Sequence, residues 1–255
     1  MGGGLGALLL VAYLLLGGDP AQLEGLRDTT VGTGEGSSQL ETECQTGADA
    51  AERDDCRVVG YVNSVNAYWS EALPDYQQAT TTFFSGSVNT GCGTATSQVG
   101  PFYCPPDQGI YIDLGFFDAM LTQLGAEGGD LAEAYVIAHE YGHHVQNLSG
   151  VLQQSGDTGE ESYAVRTELQ ADCYAGVWAA NAVETGFLEP LTREQIADAI
   201  DAAEAVGDDR IQERTQGQVN PETWTHGSSE QRQQWFTTGL ETGDPASCDT
   251  FNAEI

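Results

Sequence analysis

The chain has 255 residues, enough for one domain with a substantial core, and its 39 acidic residues against 8 basic ones give a formal net charge of −31. A surface this acidic repels phosphate backbones, so the composition argues against nucleic acid as a partner. The excess of acid favours solubility, including solubility in high salt; affinity for a cationic substrate is the alternative interpretation.

The chain begins with an uncharged, apolar run. Residues 2–18 carry no charge, residues 5–16 are nearly all apolar, and the first basic residue is Arg27. Such a run lies between a signal-peptide core of about 7–15 residues and a membrane-spanning helix of about 20. We interpret residues 1–18 as a signal anchor or transmembrane segment whose basic flank lies upstream; a buried core helix is the alternative. The first interpretation predicts a single-pass protein of the cell membrane with its domain outside the cytoplasm, or a secreted protein.

Residues 19–53 are rich in Gly, Ser, Thr and acid, which is typical of a flexible acidic linker. The globular domain is expected to cover residues 54–255. An even number of cysteines without a CxxC pair indicates disulfides and an oxidising compartment. Sequence alone favours only one pairing, Cys92 with Cys104, because these two bracket a short segment containing Gly and Pro. The six candidates are Cys44, Cys56, Cys92, Cys104, Cys173 and Cys248.

The first half of the domain predicts one helix and a small sheet. Apolar residues with helical spacing predict a helix over residues 54–73; they are Val58, Val62, Val65 and Trp69. Residues 80–84 and 109–114 are rich in β-branched and aromatic residues and predict strands. We expect a small antiparallel sheet. The 110–114 strand could offer a free edge to an extended peptide, although an ordinary core strand is favoured slightly.

The second half predicts four helices. Asp130 and Glu133 form the pattern of a capping box at the start of a helix that runs to about Leu148, where Gly150 ends it. A second helix covers roughly residues 160–184. Two further capping boxes are predicted, Thr192 with Gln195 and Ser228 with Gln231. The predicted fold class is therefore α+β, mainly helical, with a small antiparallel sheet.

Three of the four histidines lie close together on the first of these helices. Residues four apart share a helical face, so His139 and His143 can direct their rings at one point. Glu140 lies about 100° round the helix, close to that point but badly placed to be a ligand. Two neutral nitrogen ligands with an adjacent carboxylate are what zinc-assisted hydrolysis needs, because the carboxylate can take a proton from an activated water. His144 points off this face and is interpreted as a packing or hydrogen-bonding residue.

Catalytic zinc usually has three protein ligands, so a third must come from elsewhere. A histidine six residues beyond His143 is excluded, because Ser149 stands there. Glu168 on the second helix is the expected third ligand. Asp172 shares its face and can support a ligand histidine through the second ring nitrogen. The neighbouring Cys173 is assigned to a disulfide.

His226 is the one histidine outside the cluster. It can donate a hydrogen bond to the oxyanion that forms as water attacks a carbonyl. A role as a helix cap or as a surface residue is equally compatible with its position before Ser228.

Several segments occurring in order resemble the bacterial putative neutral zinc metallopeptidase family from about residue 55 to the C-terminus. The matching segments are Gly91-Cys92-Gly93, Gly100-Pro101-Phe102-Tyr103-Cys104-Pro105, Ile110-Tyr111-Ile112-Asp113, His139-Glu140-Tyr141-Gly142-His143-His144-Val145-Gln146, Glu168-Leu169-Gln170-Ala171-Asp172-Cys173-Tyr174-Ala175-Gly176-Val177-Trp178, Gly207-Asp208-Asp209-Arg210 and Thr225-His226-Gly227-Ser228-Ser229-Glu230-Gln231-Arg232.

The resemblance implies a zincin-type, gluzincin-like peptidase. By that likeness His139, His143 and Glu168 bind Zn²⁺, Glu140 is the general base, and Asp172 supports the ligands. Family members look like single-pass membrane proteins with a charged stretch before the anchor, and this chain departs from them because it lacks that stretch.

The function expected is a zinc metallopeptidase acting on peptide or protein substrates. The membrane is an expected partner through the N-terminal segment. Two alternatives remain open: a zinc-binding cell-surface scaffold without turnover, and a zinc hydrolase acting on a non-peptide amide or a cell-wall peptide cross-link.

Overall fold

The computed structural model describes residues 43–119, 126, 128–152 and 156–255. These form a mainly helical domain with one three-stranded sheet and a separate two-stranded hairpin, which confirms the α+β class. The predicted apolar segment 1–18 and the linker up to residue 42 lie outside the described residues. Among the helices that are described, none is long and apolar enough to cross a membrane.

The described end of the predicted linker is helical. Thr46 forms a capping box with Asp49 and starts α1, Gly47–Glu52. The next helix, α2, spans Asp54–Ala72 and buries the predicted apolar face. A disulfide between Cys44 and Cys56 fastens the segment before α1 to the first turn of α2.

The sheet is mixed, and the prediction of a wholly antiparallel sheet was wrong. Its strand order is β1-β5-β4, with β1 parallel to β5 and β4 antiparallel to β5. The strands are β1 (Thr80–Phe84), β4 (Phe102–Cys104) and β5 (Gly109–Asp113). After β1 the chain forms the hairpin of β2 (Ser87–Thr90) and β3 (Gly93–Thr96) and then returns along β4. This excursion brings β5 back in the direction of β1, which a direct turn between them would not do.

The position of β5 also excludes the edge role considered for it. The strand has β1 on one side and β4 on the other, and both Ile110 and Ile112 are fully buried. It is a core strand. The Cys92–Cys104 disulfide closes the segment between the hairpin and β4.

The rest of the domain is helical and follows the sequence closely. The helices are α3 (Gly115–Ala119), α4 (Asp130–Leu148), α5 (Tyr163–Asn181), α6 (Arg193–Ala205), α7 (Asp208–Gln216) and α8 (Ser229–Thr242). The capping boxes predicted before α6 and α8 are confirmed. The one predicted at Asp130 is wrong, because Gly129 at φ 116° is the N-cap and no side chain caps α4. Asp130 instead pairs with Arg57 at 3.3 Å.

Helix α5 is packed between α4 and α8, and glycines allow the close approach on both sides. A Cβ at Gly142 of α4 would lie 2.9 Å from Cα of Ala171, and a Cβ at Gly239 of α8 would lie 2.0 Å from the carbonyl oxygen of Cys173. Any larger residue would push the helices apart. Helix α5 can therefore present side chains directly to the groups on α4.

Candidate metal centre

The centre starts from two histidines on α4. His139 and His143 lie one turn apart, and their rings make an edge-to-face contact with centroids 4.7 Å apart. The flanking turns of α4 are buried on nearly all sides, and the side chains of His139 and His143 are 8% and 12% exposed. This position follows from the apolar approach to the histidines, which fixes α4 in the core.

Glu168 on α5 completes a three-residue group. Its Oε2 lies 3.2 Å from His139 Nε2, and its Oε1 lies 3.5 Å from His143 Nε2. One possible ligand atom from each of the three residues lies within 4.8 Å of the others. The three residues predicted to be ligands are therefore brought together.

The geometry and charge of this group fit a zinc ion. Tetrahedral zinc with ligands at about 2.0–2.1 Å separates those ligand atoms by about 3.3 Å, and the two histidine nitrogens lie 3.2 and 3.5 Å from different oxygens of Glu168. With the ligand histidines neutral, as zinc ligation requires, the described centre holds three carboxylates, from Glu140, Glu168 and Asp172, against one guanidinium, from Arg232. This leaves two negative charges in a buried place, which a divalent cation would balance.

His139 is supported by a buried ionic network. Its Nδ1 lies 2.8 Å from Asp172 Oδ1, as the sequence predicted for that carboxylate. Asp172 in turn receives hydrogen bonds from Nε and Nη2 of Arg232, at 2.8 and 2.9 Å, and from the hydroxyl of Tyr135 at 2.6 Å. Burial alone would raise the pKa of Asp172, but the charges of Arg232 and His139 outweigh burial and lower the pKa. The carboxylate is thus kept ionised in a fully buried position.

His143 is supported differently, by a neutral amide. Its Nδ1 lies 2.8 Å from Oε1 of Gln146, one turn further along α4. The amide of Gln146 is fully buried and is itself bonded to α5. Both histidines therefore have the nitrogen that faces away from Glu168 engaged by a polar partner.

Glu140 lies beside the ligand group and is buried, with 9% of its surface exposed. Burial raises its pKa, while His143, His139 and a hydrogen bond from the backbone of Tyr103 act in the opposite direction. A carboxylate with a raised pKa next to a metal site is well suited to accept and return a proton near neutral pH.

His226 lies outside the ligand group, close enough to Glu168 for the charges of the two side chains to interact. Its Nδ1 lies 2.8 Å from the Thr225 hydroxyl and 3.4 Å from Asp208 Oδ1, and its side chain is 40% exposed. Partial desolvation opposes protonation of the ring, but the charges of Glu168 and Asp208 outweigh it and raise the pKa of His226. A ring held in this way has Nε2 left for donating to a substrate.

His144 has the structural role predicted for it. It is fully buried, with Nδ1 3.0 Å from the Tyr103 hydroxyl and Nε2 2.6 Å from the carbonyl oxygen of Gln77. Desolvation lowers its pKa. It joins α4 to the sheet and does not face the ligand group.

Five residues of the centre were given no role by sequence reasoning: Tyr135, Gln146, Gln170, Asp208 and Arg232. Two of them had a visible signal, and one is Gln146, which lies three residues beyond His143 on the same helix. Arg232 lies three and four residues before Trp235 and Phe236, so a cation shares the apolar face of α8 in a chain with only 8 basic residues. A charge on a buried face indicates a buried partner.

All six cysteines are paired. Besides Cys44–Cys56 and Cys92–Cys104, a third disulfide joins Cys173 to Cys248 across 75 residues of sequence. Cys173 directly follows Asp172, so this disulfide fastens the C-terminal segment to the turn of α5 that supports His139.

Comparison with known proteins matches the chain to one family model and to several relatives. A family model described as "Putative neutral zinc metallopeptidase" matches residues 1–251. "Uncharacterized protein Rv2575" of Mycobacterium tuberculosis (strain ATCC 25618 / H37Rv) is 58% identical over 221 residues, which is 83% of this chain and 75% of the relative. "Uncharacterized protein YpfJ" of Escherichia coli (strain K12) is 49% identical over 187 residues, 71% of this chain and 64% of the relative. No solved structure matches the chain.

Proposed function

Because the chain belongs to the putative neutral zinc metallopeptidase family, we propose that it hydrolyses peptide bonds at a zinc ion held by His139, His143 and Glu168. The observation that carries the proposal is the convergence of these three side chains beside a buried carboxylate, Glu140. A binding site alone needs the ligands, whereas the additional carboxylate is the group that a hydrolase needs.

Each residue of the chain has a distinct task in this proposal. When bound, zinc would polarise the scissile carbonyl and lower the pKa of a water molecule towards about 7. Glu140 accepts a proton from the attacking water and then delivers it to the nitrogen of the leaving amine. Asp172 fixes the ring of His139 through Nδ1, so that Nε2 faces the metal position.

His226 is proposed to stabilise the oxyanion. The raised pKa favours a ring that carries a proton on Nε2, and Asp208 with Thr225 holds Nδ1 in place. A fixed donor of this kind stabilises the charge that develops on the carbonyl oxygen as water attacks.

The substrate is proposed to be a peptide or protein outside the cytoplasm. Three disulfides support an oxidising compartment. Attachment to the cell membrane through residues 1–18, or secretion, is part of this proposal, and fractionation of cells followed by detection of the full-length chain tests it. Recovery of the chain in the cytosol would contradict it.

The replacement Glu140→Gln tests the hydrolase. It removes the proton acceptor without touching a ligand, so we expect zinc content to stay the same while cleavage of a peptide library falls by about 10²- to 10⁴-fold. Glu241→Gln, at an exposed position on α8, is the matched control and should cleave like the wild type.

The measurements are mass spectrometry of the cleaved library and elemental analysis of bound zinc. If wild type and Glu140→Gln both bind zinc, cleave nothing and capture the same partner, the scaffold alternative replaces the peptidase. If only a non-peptide amide or a cell-wall cross-link is cleaved, the second alternative, a zinc hydrolase with that substrate, replaces the peptidase.

A further inference from the structure

A line of buried amides leads away from His143. Its Nδ1 lies 2.8 Å from Gln146 Oε1, Gln146 Nε2 lies 3.1 Å from Gln170 Oε1, and Gln170 Nε2 lies 2.8 Å from the carbonyl oxygen of Cys248. Gln146 is fully buried and Gln170 is 6% exposed. We call these two side chains the glutamine relay. Because buried amides without partners are costly, their bonds constrain the structure around them.

The direction of every bond in the relay is fixed by main-chain carbonyls, which can only accept. Gln146 Nε2 donates to the carbonyl oxygen of Thr167 at 2.7 Å, so the other end of this amide, facing His143, must be the oxygen. Gln170 donates to the carbonyl of Cys248, so its oxygen must face the nitrogen of Gln146. Turning either amide over would set two acceptors against each other. The carbonyls of Thr167 and Cys248 therefore require the same orientation of the two amides, with each oxygen directed towards the preceding group.

This orientation determines the protonation of His143. An amide oxygen opposite Nδ1 requires that Nδ1 carry a hydrogen, and the lone pair of the neutral ring is then on Nε2. Nε2 is the nitrogen that faces Glu168, at 3.5 Å. The relay thus selects the tautomer that a metal ligand at this position needs.

The far end of the relay is held firmly. Cys248 is 1% exposed and is bonded to Cys173 on α5. Thr250, two residues further on, donates its backbone N–H to the Cys248 carbonyl and its hydroxyl to the carbonyl of Arg166. Arg166 also donates to the carbonyl oxygens of Thr250 and Ala253. The C-terminal segment is therefore a fixed anchor for the second amide.

We propose that Gln146 and Gln170 are positioning residues that hold His143 in the Nδ1–H tautomer at the metal site, with the Cys248 carbonyl as their anchor. The proposal rests on the proposed function only in taking His143 as a zinc ligand. Gln146 acts on the histidine directly, and Gln170 acts through Gln146.

Methionine replacements test the relay, because methionine matches glutamine in length and removes the amide. We expect Gln146→Met to weaken zinc binding by about 10- to 100-fold and Gln170→Met to weaken it by less. The double variant should bind like Gln146→Met, to within about twofold, because the two residues act in series. Gln212→Met is the matched control: Gln212 is also buried and bonded, to Thr223 and to the backbone of Asn220, and should leave zinc affinity unchanged.

Two readouts are used on the full chain. Competition with a chromophoric chelator gives zinc affinity, and long-range ¹H–¹⁵N NMR of histidine-labelled, zinc-loaded protein gives the tautomer. In the wild type we expect a slowly exchanging proton on His143 Nδ1 and the metal on Nε2. In Gln146→Met that proton should exchange with solvent quickly. A role in packing alone would not change this signal.

The relay is overturned if both variants bind zinc as tightly as Gln212→Met, or if wild-type His143 has no proton on Nδ1. Should Gln146→Met fail to fold, Gln170→Met and the wild-type spectrum still decide. The two proposals fail separately: a wild type that binds zinc with an intact Nδ1 signal but cleaves no peptide refutes the peptidase alone. A wild type that binds no zinc refutes the metal site itself and the relay's role in it.

Discussion

The two histidines of the metal centre are supported in opposite ways. His139 rests on an ionised carboxylate, Asp172, which is paired with a buried guanidinium and a tyrosine hydroxyl. His143 rests on a neutral amide, Gln146, whose partners are another amide and main-chain carbonyls. The two ligands share one helix and one metal position, so the difference lies in their supports and not in the ligands.

The comparison shows how charge is distributed in a closed site. A carboxylate raises the basicity of its histidine more than an amide does, but it adds a negative charge that must be balanced. Arg232 balances one such carboxylate. A second carboxylate in place of Gln146 would face the carbonyl of Thr167, where the amide of Gln146 now donates a hydrogen bond. An amide gives orientation there without charge.

The largest expected effect comes from disrupting the ionic network behind His139. Arg232→Met removes the guanidinium that is paired with the buried carboxylate of Asp172, so we expect the free energy of unfolding to fall by about 3–5 kcal/mol. Urea denaturation of the zinc-free protein measures this, and Arg214→Met, at an exposed position on α7, is the control and should change stability by less than about 0.5 kcal/mol. A loss below about 1 kcal/mol from Arg232→Met would mean that Asp172 takes up a proton instead, and the two supports would then be less different than the structure indicates.

The ligands could be predicted from the sequence because their spacing is local. His139 and His143, and likewise Glu168 and Asp172, are four residues apart on helices whose apolar patterns are strong, so each pair shares a face by helical geometry alone. Gln146 is also local, three residues beyond His143, and the same argument could have identified it.

The distant partners could not be predicted in this way. Arg232 meets Asp172 across 60 residues, and Gln170 meets Cys248 across 78. These pairs exist only because α5 packs between α4 and α8 and because a disulfide fixes the C-terminal segment, and one sequence does not state which helices touch. The parallel pairing of β1 with β5 has the same origin, since it depends on the path of the chain through β4.

The disulfides offer an intermediate effect that sharpens the comparison, because one of them holds Cys248, whose carbonyl is the anchor of the glutamine relay behind His143. Cys173–Cys248 closes a separation of 75 residues and Cys92–Cys104 one of 12. In the chain-entropy description, removing the longer one by paired Cys→Ala changes should cost about 1.6 kcal/mol more than removing the shorter one. Thermal and urea unfolding under oxidising conditions measure the difference.

Measuring zinc affinity in the same two variants shows whether losing a disulfide affects the glutamine relay or only the stability of the fold. We expect it to fall, by about tenfold or less, only when the Cys173–Cys248 pair is removed, since the carbonyl of Cys248 is where the relay ends. Equal zinc affinity in the two paired variants would show that the anchor holds without its disulfide.

The smallest expected effect concerns His226, which is not one of the proposed ligands. It tests whether the charge of a carboxylate, Asp208, stabilises the loop that carries this histidine. Asp208 Oδ2 accepts backbone N–H bonds from Thr225, His226 and Gly227 at 2.7, 2.7 and 3.1 Å. Burial would raise the pKa of Asp208, but the bonds and charge of His226 and the backbone donors outweigh burial and lower it from 3.8. A lowered pKa in the folded state means that ionised Asp208 stabilises the protein above the unfolded pKa and that this stability disappears as the pH falls through the folded pKa.

Asp208→Asn keeps one oxygen acceptor and removes the charge, so we expect a loss of about 1 kcal/mol near neutral pH. The gap between the two unfolding free energies should then narrow below about pH 4, because the wild type also loses its charge there. Glu241→Gln controls for removing an exposed carboxylate. A gap that stays constant from neutral pH to about pH 3 would show that hydrogen bonding alone, and not ionisation, holds the loop of His226. His226 would then be held by hydrogen bonds that do not depend on charge, as His143 is. Only His139, whose partner Asp172 is balanced by Arg232, would be supported by an ionised carboxylate.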